Sequence, residues 1–185
     1  MKLHYVTNNS YKIFMTKLFM QKFGIDVEQI KLETPEIQEE DCALVAEFSS
    51  KFAYEQVQKP VLKNDGGLFI PALNNFPAAF TKFVEGTIGE DGILKLMEGI
   101  TNRNAYWIEA LAYTDESGTK VFLCKTEGTI ALQKSGENGW GFDKIFIPNG
   151  KEQTLATFDD VTRGMLWDQS GYNQLANHIL SKEQK

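Results

Sequence analysis

Two cysteines, five prolines, two histidines and no long apolar run set the first limits on this 185-residue chain. Cys42 and Cys124 are too few for a disulfide framework or a zinc site. No stretch approaches the roughly 18 apolar residues of a membrane helix, and no charged-then-apolar leader opens the chain. A soluble, cytoplasmic protein without a membrane partner is therefore expected. Positive charge is also scarce: 19 lysines and arginines face 25 acids, for a net charge of −6 and a pI near 5.0. With no basic cluster, a nucleic-acid backbone is not the expected partner, although a small anionic ligand needs only a few local cations. Neither a G-x-G-x-x-G nor a Walker pattern is present, so a dinucleotide fold or P-loop is not supported. Repeats, low-complexity tracts and interdomain linkers are absent too. What remains is ordinary globular composition, 42% hydrophobic and 24% charged, enough for one core. One domain over 1–185 is expected, with two lobes sharing a sheet and disorder confined to a tail at Ser181–Lys185.

The chain is organised around Pro60–Pro71, where Val61-Leu62 and Leu68-Phe69-Ile70 bracket Lys63-Asn64-Asp65-Gly66-Gly67. Short apolar runs bounded by proline suggest buried strands. Asp65 would then sit at a strand break near the core, with glycines allowing close backbone approach. The alternative is a hairpin turn at Asp65-Gly66, and taken by itself the stretch favours it.

Around that stretch, Leu3–Val6 predicts an opening strand, Thr7–Ser10 a polar turn and Tyr11–Phe23 a helix closed by Gly24. Strand, turn and helix make a phosphate-cradle geometry, with Lys12 adding charge in the first turn; the plainer reading is that Asn9 or Ser10 caps the helix. A second strand follows over Ile25–Leu32. The acidic run Glu33–Asp41 reads either as a solvated loop before a helix or as a source of hard oxygen ligands for a divalent cation. A helix over Asp41–Gln58 would turn Leu44, Val45, Phe48, Phe52 and Val57 inward. Further on, Ala78–Val84 and Glu90–Glu98 predict short helices, and Ala105–Thr114 with Lys120–Thr126 a long hairpin. Gly128–Lys134 gives one more strand, and Ser170–Leu180 the last helix. The glycine-rich loop Ser135–Asp143 either packs Trp140 under a sheet or holds a flat ring, because aromatic faces stack on bases.

In this order the pieces resemble the inosine/xanthosine triphosphate pyrophosphatase family, which hydrolyses non-standard purine triphosphates. The motifs are Thr7-Asn8-Asn9-Ser10-Tyr11-Lys12 for its T-G-N-x-x-K, and Pro35-Glu36-Ile37-Gln38 for its metal-binding acidic segment. Asn64-Asp65-Gly66-Gly67 matches D/E-D-S/T-G, with Ala72–Pro77, Thr87–Met97 and Asn102–Ala105 for the middle region. Gly139-Trp140-Gly141-Phe142-Asp143 matches the base-binding segment. The resemblance implies an α/β fold, a mixed twisted sheet with two α/β lobes around a central cleft, usually as a homodimer.

It further implies Mg²⁺-dependent attack of water on the α-phosphorus of a purine nucleoside triphosphate of the ITP, dITP or XTP kind, giving a monophosphate and pyrophosphate; Mn²⁺ is an alternative metal. By the same resemblance Asp65 is the catalytic residue and a metal ligand, and Glu36 the second carboxylate on the metal. Lys12 and Lys82 hold phosphates, while Thr7, Asn8, Asn9, Gly66 and the loop backbone cradle them. Trp140 and Phe142 sandwich the base, next to Gly141, and Asp143 accepts from a ring N–H.

Departures from the pattern are equally specific. Asn8 stands where the family has glycine, tolerable because asparagine enters left-handed conformations. Asn64 replaces an acid. Ser49 stands where a phosphate-binding lysine is usual, with Lys51 two residues on as a substitute if the helix is shifted. Near the C-terminus the family's lysine falls on Arg163, and its base-reading S-H-R on Trp167-Asp168-Gln169. An aspartate can only accept while ionised, whereas glutamine does both, so Asp168 and Gln169 at the base edge imply a shift toward an amino-bearing purine such as guanine; the alternative is that a gap displaces the alignment and another residue reads the ring oxygen. A nucleotide-binding protein that has lost turnover, and a plain α/β interaction module, are the competing readings.

Overall fold

A computed structural model describes residues 2–183 of the chain. Its strands are β1 (Lys2–Val6), β2 (Asp26–Ile30), β3 (Val61–Phe69), β4 (Pro77–Ala78), β5 (Asn104–Asp115), β6 (Gly118–Ile130) and β7 (Phe146–Pro148). Its helices are α1 (Ser10–Gln21), α2 (Cys42–Val57), α3 (Thr81–Glu85), α4 (Gly89–Leu96), α5 (Asp160–Met165) and α6 (Ser170–Glu183). Two compact units share the three longest strands: Met1–Asp65, Glu109–Cys124 and Gln169–Lys185 form the first, Gly66–Ile108 and Lys125–Asp168 the second.

The first unit opens with β1 parallel to β2, in register from Lys2 opposite Asp26 to Val6 opposite Ile30. On its other edge β1 runs parallel to β3, His4 opposite Val61 and Tyr5 opposite Leu62. Side chains alternate between faces along a strand, and the core follows that alternation. Leu3, Tyr5, Leu62, Leu111 and Tyr113 pack with Ile13 and Phe19 of α1 and Leu175 and Ile179 of α6. Val6 and Val61 instead meet Ala53 of α2 on the other face. In the second unit Leu68 and Ile70 pack with Val84, Ile93, Met97, Trp107, Phe142 and Phe146. There β4 is antiparallel to β3 and β7 antiparallel to β6, Gly128 opposite Pro148.

Several expectations change. Asp65-Gly66 makes no hairpin: β3 runs unbroken through both residues, and neither Gly66 nor Gly67 has the positive φ that a tight hairpin turn demands. A strand whose first half is paired in parallel with β1 and whose second half is paired with β4 continues in one direction. The inward face of α2 is also different. Leu44 and Phe48 are 47% and 42% exposed, whereas Val45 is buried as expected, together with Cys42, Ala46, Ser49, Ser50 and Ala53. Small residues line this contact, and Ser50 is accommodated because its hydroxyl donates to the Ala112 carbonyl at 3.0 Å. Of Ala78–Val84 only the part from Thr81 is helical, with α3 running on to Glu85, and Gly128–Ile130 continues β6 instead of starting a strand. The helix α6 extends to Glu183; the rest of the expected disordered tail, Gln184 and Lys185, lies outside the described residues. Among the described residues no helix is long and apolar enough to cross a membrane.

Candidate functional site

In the first unit the chain leaves β1 through a tied turn. The Asn9 N–H donates to Thr7 Oγ1 at 3.1 Å, Gln29 Nε2 donates to the Thr7 carbonyl at 2.9 Å, and Asn9 Oδ1 caps α1 by accepting from the Lys12 N–H at 3.1 Å. The N-cap contributes about 1 kcal/mol and fixes the turn at the start of α1, the kind of helix N-terminus that suits an anion. Asn8 is exposed in that turn. Left-handed backbone occurs at Gln58, Asn74, Asn75 and Ala78 and not at Asn8, so its tolerance for that conformation is not called on.

The strand alternation then separates two neighbours. Asn64 shares a face with Leu62, toward α1 and α6, and its Oδ1 accepts from Lys12 Nζ at 3.0 Å. Asp65 shares the opposite face with Val61 and Lys63, toward α2, where the buried Cys42 thiol donates to it. Burial, and then the charge of Asp65, push that thiol well up, so it stays protonated and offers no thiolate to a metal. Lys63 is half-buried on this face. Burial and then the Lys12 charge lower its pKa, while Glu36 and Asp65 pull the other way.

Glu36 itself is exposed in the loop before α2. Ser49, at the position of the missing lysine, is 2% exposed and donates to the Pro35 carbonyl at 3.1 Å, so it pins the loop that carries Glu36. Glu39 is occupied at the end of that loop, accepting from the Glu40 N–H at 2.8 Å. Lys51 does not take the absent lysine's place: it pairs with Glu47 along the exposed side of α2.

Among the described residues no cluster of three or more acidic, histidine or cysteine side chains forms a ready-made metal cage. Mg²⁺ does not require one. It keeps several waters and takes one or two carboxylates together with substrate phosphates, and the hard oxygens of Asp65 and Glu36 fit that coordination.

The second unit holds the aromatic residues of the Gly139–Asp143 segment. Trp140 is 43% exposed and sits edge-on to Trp107 at 6.5 Å, while Trp107 meets Trp167 at 5.7 Å and Trp167 stacks on Phe146 at 6.2 Å. Phe142 is fully buried in the core. The expected sandwich of Trp140 and Phe142 around a base is corrected accordingly: of the two rings, only that of Trp140 is presented to solvent.

Asp143 is also buried, paired with Arg163 Nε at 3.5 Å, and Arg163 meets Asp160 at 2.8 Å. Burial raises the Asp143 pKa to about 6 against the opposing pull of Arg163. The loop around this pair needs its glycines. A Cβ on Gly139 (φ +73°) would collide with Asp143 Oδ2, and one on Gly141 (φ +46°) would lie 2.7 Å from the Glu85 carboxylate. At Gly66 a Cβ would make only an ordinary 3.4 Å contact with the Ile108 carbonyl, so no close approach demands glycine there.

Asp168 does not simply face outward. Its Oδ2 accepts from the Lys125 N–H at 2.9 Å and its own N–H donates to Thr126 Oγ1 at 2.8 Å, which ties it to β6. Gln169 is half-buried beside it, and Lys82 is exposed on α3. Sequence reasoning missed Lys63 and Glu109. Lys63 had a signal, a cation inside an apolar strand next to Asp65; Glu109, which meets Asn64 at 2.5 Å, had none, because 45 residues separate them.

The sequence model of the Ham1 family matches residues 3–165. The dITP/XTP pyrophosphatase of Saccharolobus solfataricus is 41% identical over 155 residues, 84% of this chain and 81% of that protein. That of Methanopyrus kandleri is 40% identical over 157 residues, 84% of each. That of Ignicoccus hospitalis is 34% identical over 181 residues, 96% of each. The fold is similar to the Ham1 protein of Staphylococcus aureus, with a TM-score of 0.83 at 23% identity over 98% of this chain and 100% of that one. A HAM1 protein from Coxiella burnetii gives 0.84 at 22% identity over 98% and 99%.

Proposed function

This chain belongs to the Ham1 family, and on that premise we propose that it is a nucleoside triphosphate pyrophosphatase acting on purine substrates of the dITP and XTP kind. It is a hydrolase that releases the monophosphate and pyrophosphate. The observation that supports the site assignment is the Lys12 ammonium, which donates to Asn64 Oδ1 at 3.0 Å beside Asp65 on β3; Lys63, on the same strand, lies within electrostatic reach of Lys12, Glu36 and Asp65.

Phosphoryl-type hydrolysis rests on positioning and charge neutralisation. Bound Mg²⁺, or Mn²⁺, supplies charge to the phosphate oxygens and lowers the pKa of water, and Asp65 and Glu36 would hold it. Asp65 orients the attacking water and takes its proton. Lys12 binds a phosphate from the first turn of α1, with Thr7, Asn8 and Asn9 shaping the backbone cradle. Lys63, on the face of Asp65, supplies the cation that the helix position of Ser49 no longer carries, and Lys82 is a further phosphate contact. Trp140 stacks on the base, and Gly141 keeps the loop clear of a side chain. The Asp143–Arg163 pair holds the loop of Trp140 in shape. Because the Asp168 carboxylate is engaged by the Lys125 N–H, its presence gives little support to an amino-bearing purine, and the reading stays with dITP and XTP.

A homodimer is part of the proposal, supported by the exposed Leu44 and Phe48 one turn apart on α2; sedimentation of the wild type against Phe48→Asp checks it. Pyrophosphate release from dITP and XTP with Mg²⁺ tests the activity. Asp65→Asn is expected to lower kcat by about a thousandfold or more, in keeping with loss of a general base and a metal ligand together. Tight nucleotide binding without turnover in the wild type would favour the binding-protein reading instead.

A further inference from the structure

Asn64 is held from two sides. Its Oδ1 accepts from Lys12 Nζ at 3.0 Å, and its Nδ2 donates to Glu109 Oε1 at 2.5 Å. The two partners fix which way the amide points, because an ammonium can only donate and a carboxylate only accepts. Glu109 is anchored in turn: Tyr172 of α6, 3% exposed, donates its hydroxyl to the same oxygen at 3.0 Å. Burial first, then the Glu109 charge, raise the Tyr172 phenol well above its ordinary value, so it remains a donor. A chain of hydrogen bonds therefore runs from the buried face of α6 through Glu109 and Asn64 to the ammonium in the first turn of α1.

We infer that Glu109 is a positioning residue for Lys12, acting through Asn64, an inference that rests on the assignment of Lys12 to the phosphates. The acid-to-amide change at position 64 acquires a physical reason. Asn64 and Asp65 lie on opposite faces of β3, so the change bears on Lys12 and not directly on the catalytic carboxylate. An aspartate at 64 would meet the Glu109 carboxylate at the same short distance, where two negative charges repel strongly. The amide satisfies both neighbours at once. It also leaves Lys12 bound to a neutral oxygen, so that its charge is directed at the phosphate instead of being cancelled beside it. Asn64 and Glu109 are thus a linked pair: an acid at 64 is unfavourable while Glu109 is present, and the amide loses its acceptor when Glu109 is removed.

The test uses Glu109→Ala, Glu109→Gln, Asn64→Asp and the double variant Asn64→Asp/Glu109→Gln in the full chain. Each is assayed for kcat and KM on dITP with Mg²⁺, for calorimetric affinity toward inorganic tripolyphosphate without metal, and for thermal stability. Losing the held donor geometry in Glu109→Ala is expected to raise KM and weaken tripolyphosphate binding by about tenfold, the size of one charge-assisted hydrogen bond, with a smaller change in kcat. Glu109→Gln keeps most of both, since the glutamine Oε1 accepts from Asn64 and Tyr172 alike. Asn64→Asp loses at least as much as Glu109→Ala, and the double variant recovers most of it, because the glutamine introduced in place of Glu109 then donates to the aspartate.

The inference is overturned if Glu109→Ala binds tripolyphosphate like the wild type, if Glu109→Gln is as damaging as Glu109→Ala, or if the double variant recovers nothing. Where Glu109→Ala does not fold, the rescue of Asn64→Asp by Glu109→Gln decides alone. Wild-type protein that turns over no nucleotide would remove the proposed activity, while the tripolyphosphate arm still decides the role of Glu109.

Discussion

Around the candidate site the two units handle buried polarity in opposite ways. In the first, charged groups sit at the margin of the core and are shared along chains: Lys12 to Asn64 to Glu109 to Tyr172 on one face of β3, Lys63 with Asp65 and Glu36 on the other. In the second, the buried Asp143 and Arg163 pair with each other, under a loop whose exposed aromatic side chain is the indole of Trp140. A half-buried, hydrogen-bonded charge keeps its field available to a ligand, whereas a sequestered pair holds a backbone in place. The first arrangement suits phosphates and a cation, the second a flat apolar ring.

Four measurements can break or sharpen that contrast. The largest effect is expected from Phe142→Ala, which empties a fully buried core position and should cost about 3–5 kcal/mol of stability, read by denaturant unfolding; a stable variant with a raised KM would mean that this ring serves the ligand after all.

Asp143 comes next, through pH. Its folded pKa is raised to about 6, so between its unfolded value and 6 the folded state binds the proton more tightly, and that contribution is lost as pH rises through the window. Relative to wild type, Asp143→Asn should therefore gain up to about 3 kcal/mol of unfolding free energy between about pH 4 and 6 and nothing further above it. A difference that does not change over this range would mean that the attraction of Arg163 outweighs burial at Asp143.

Lys63→Met should raise KM for dITP about tenfold to a hundredfold with stability little changed, as befits one charge-assisted contact; unchanged KM would remove Lys63 from the phosphates. Trp140→Ala is expected to raise KM by roughly 1–3 kcal/mol equivalent of stacking and to leave the binding of inorganic tripolyphosphate as it was. Loss of tripolyphosphate binding in that variant would erase the division between the two units.

Much of the fold was legible locally. The opening strand, the capped α1, the hairpin of β5 and β6 and the final helix follow from periodicity, caps and turn residues, and the site motifs followed from residue order. The errors share a cause. Asp65-Gly66 looked like a turn because a dipeptide cannot report that β1 and β4 pair with the strand on either side of it. Leu44 and Phe48 looked like core because their spacing is helical, but the neighbouring strand had room for serine and alanine. Phe142 and Trp140 look equivalent in sequence and differ only in what surrounds them. Asp168 reads as a base reader in sequence, whereas in the fold its carboxylate accepts from the Lys125 N–H.

The sequence by itself determined the chemistry: which carboxylates, lysines and aromatics the chain owns, their order, and hence the family and the class of reaction. Tertiary structure decided which of them work together. Pairing in β3 put Asn64 and Asp65 on opposite faces, packing hid Phe142 and exposed Trp140, and two contacts across long stretches of chain joined Lys12 through Asn64 to Glu109. Residue types and short-range periodicity are written in the chain, whereas burial and contacts between distant residues exist only after it has folded.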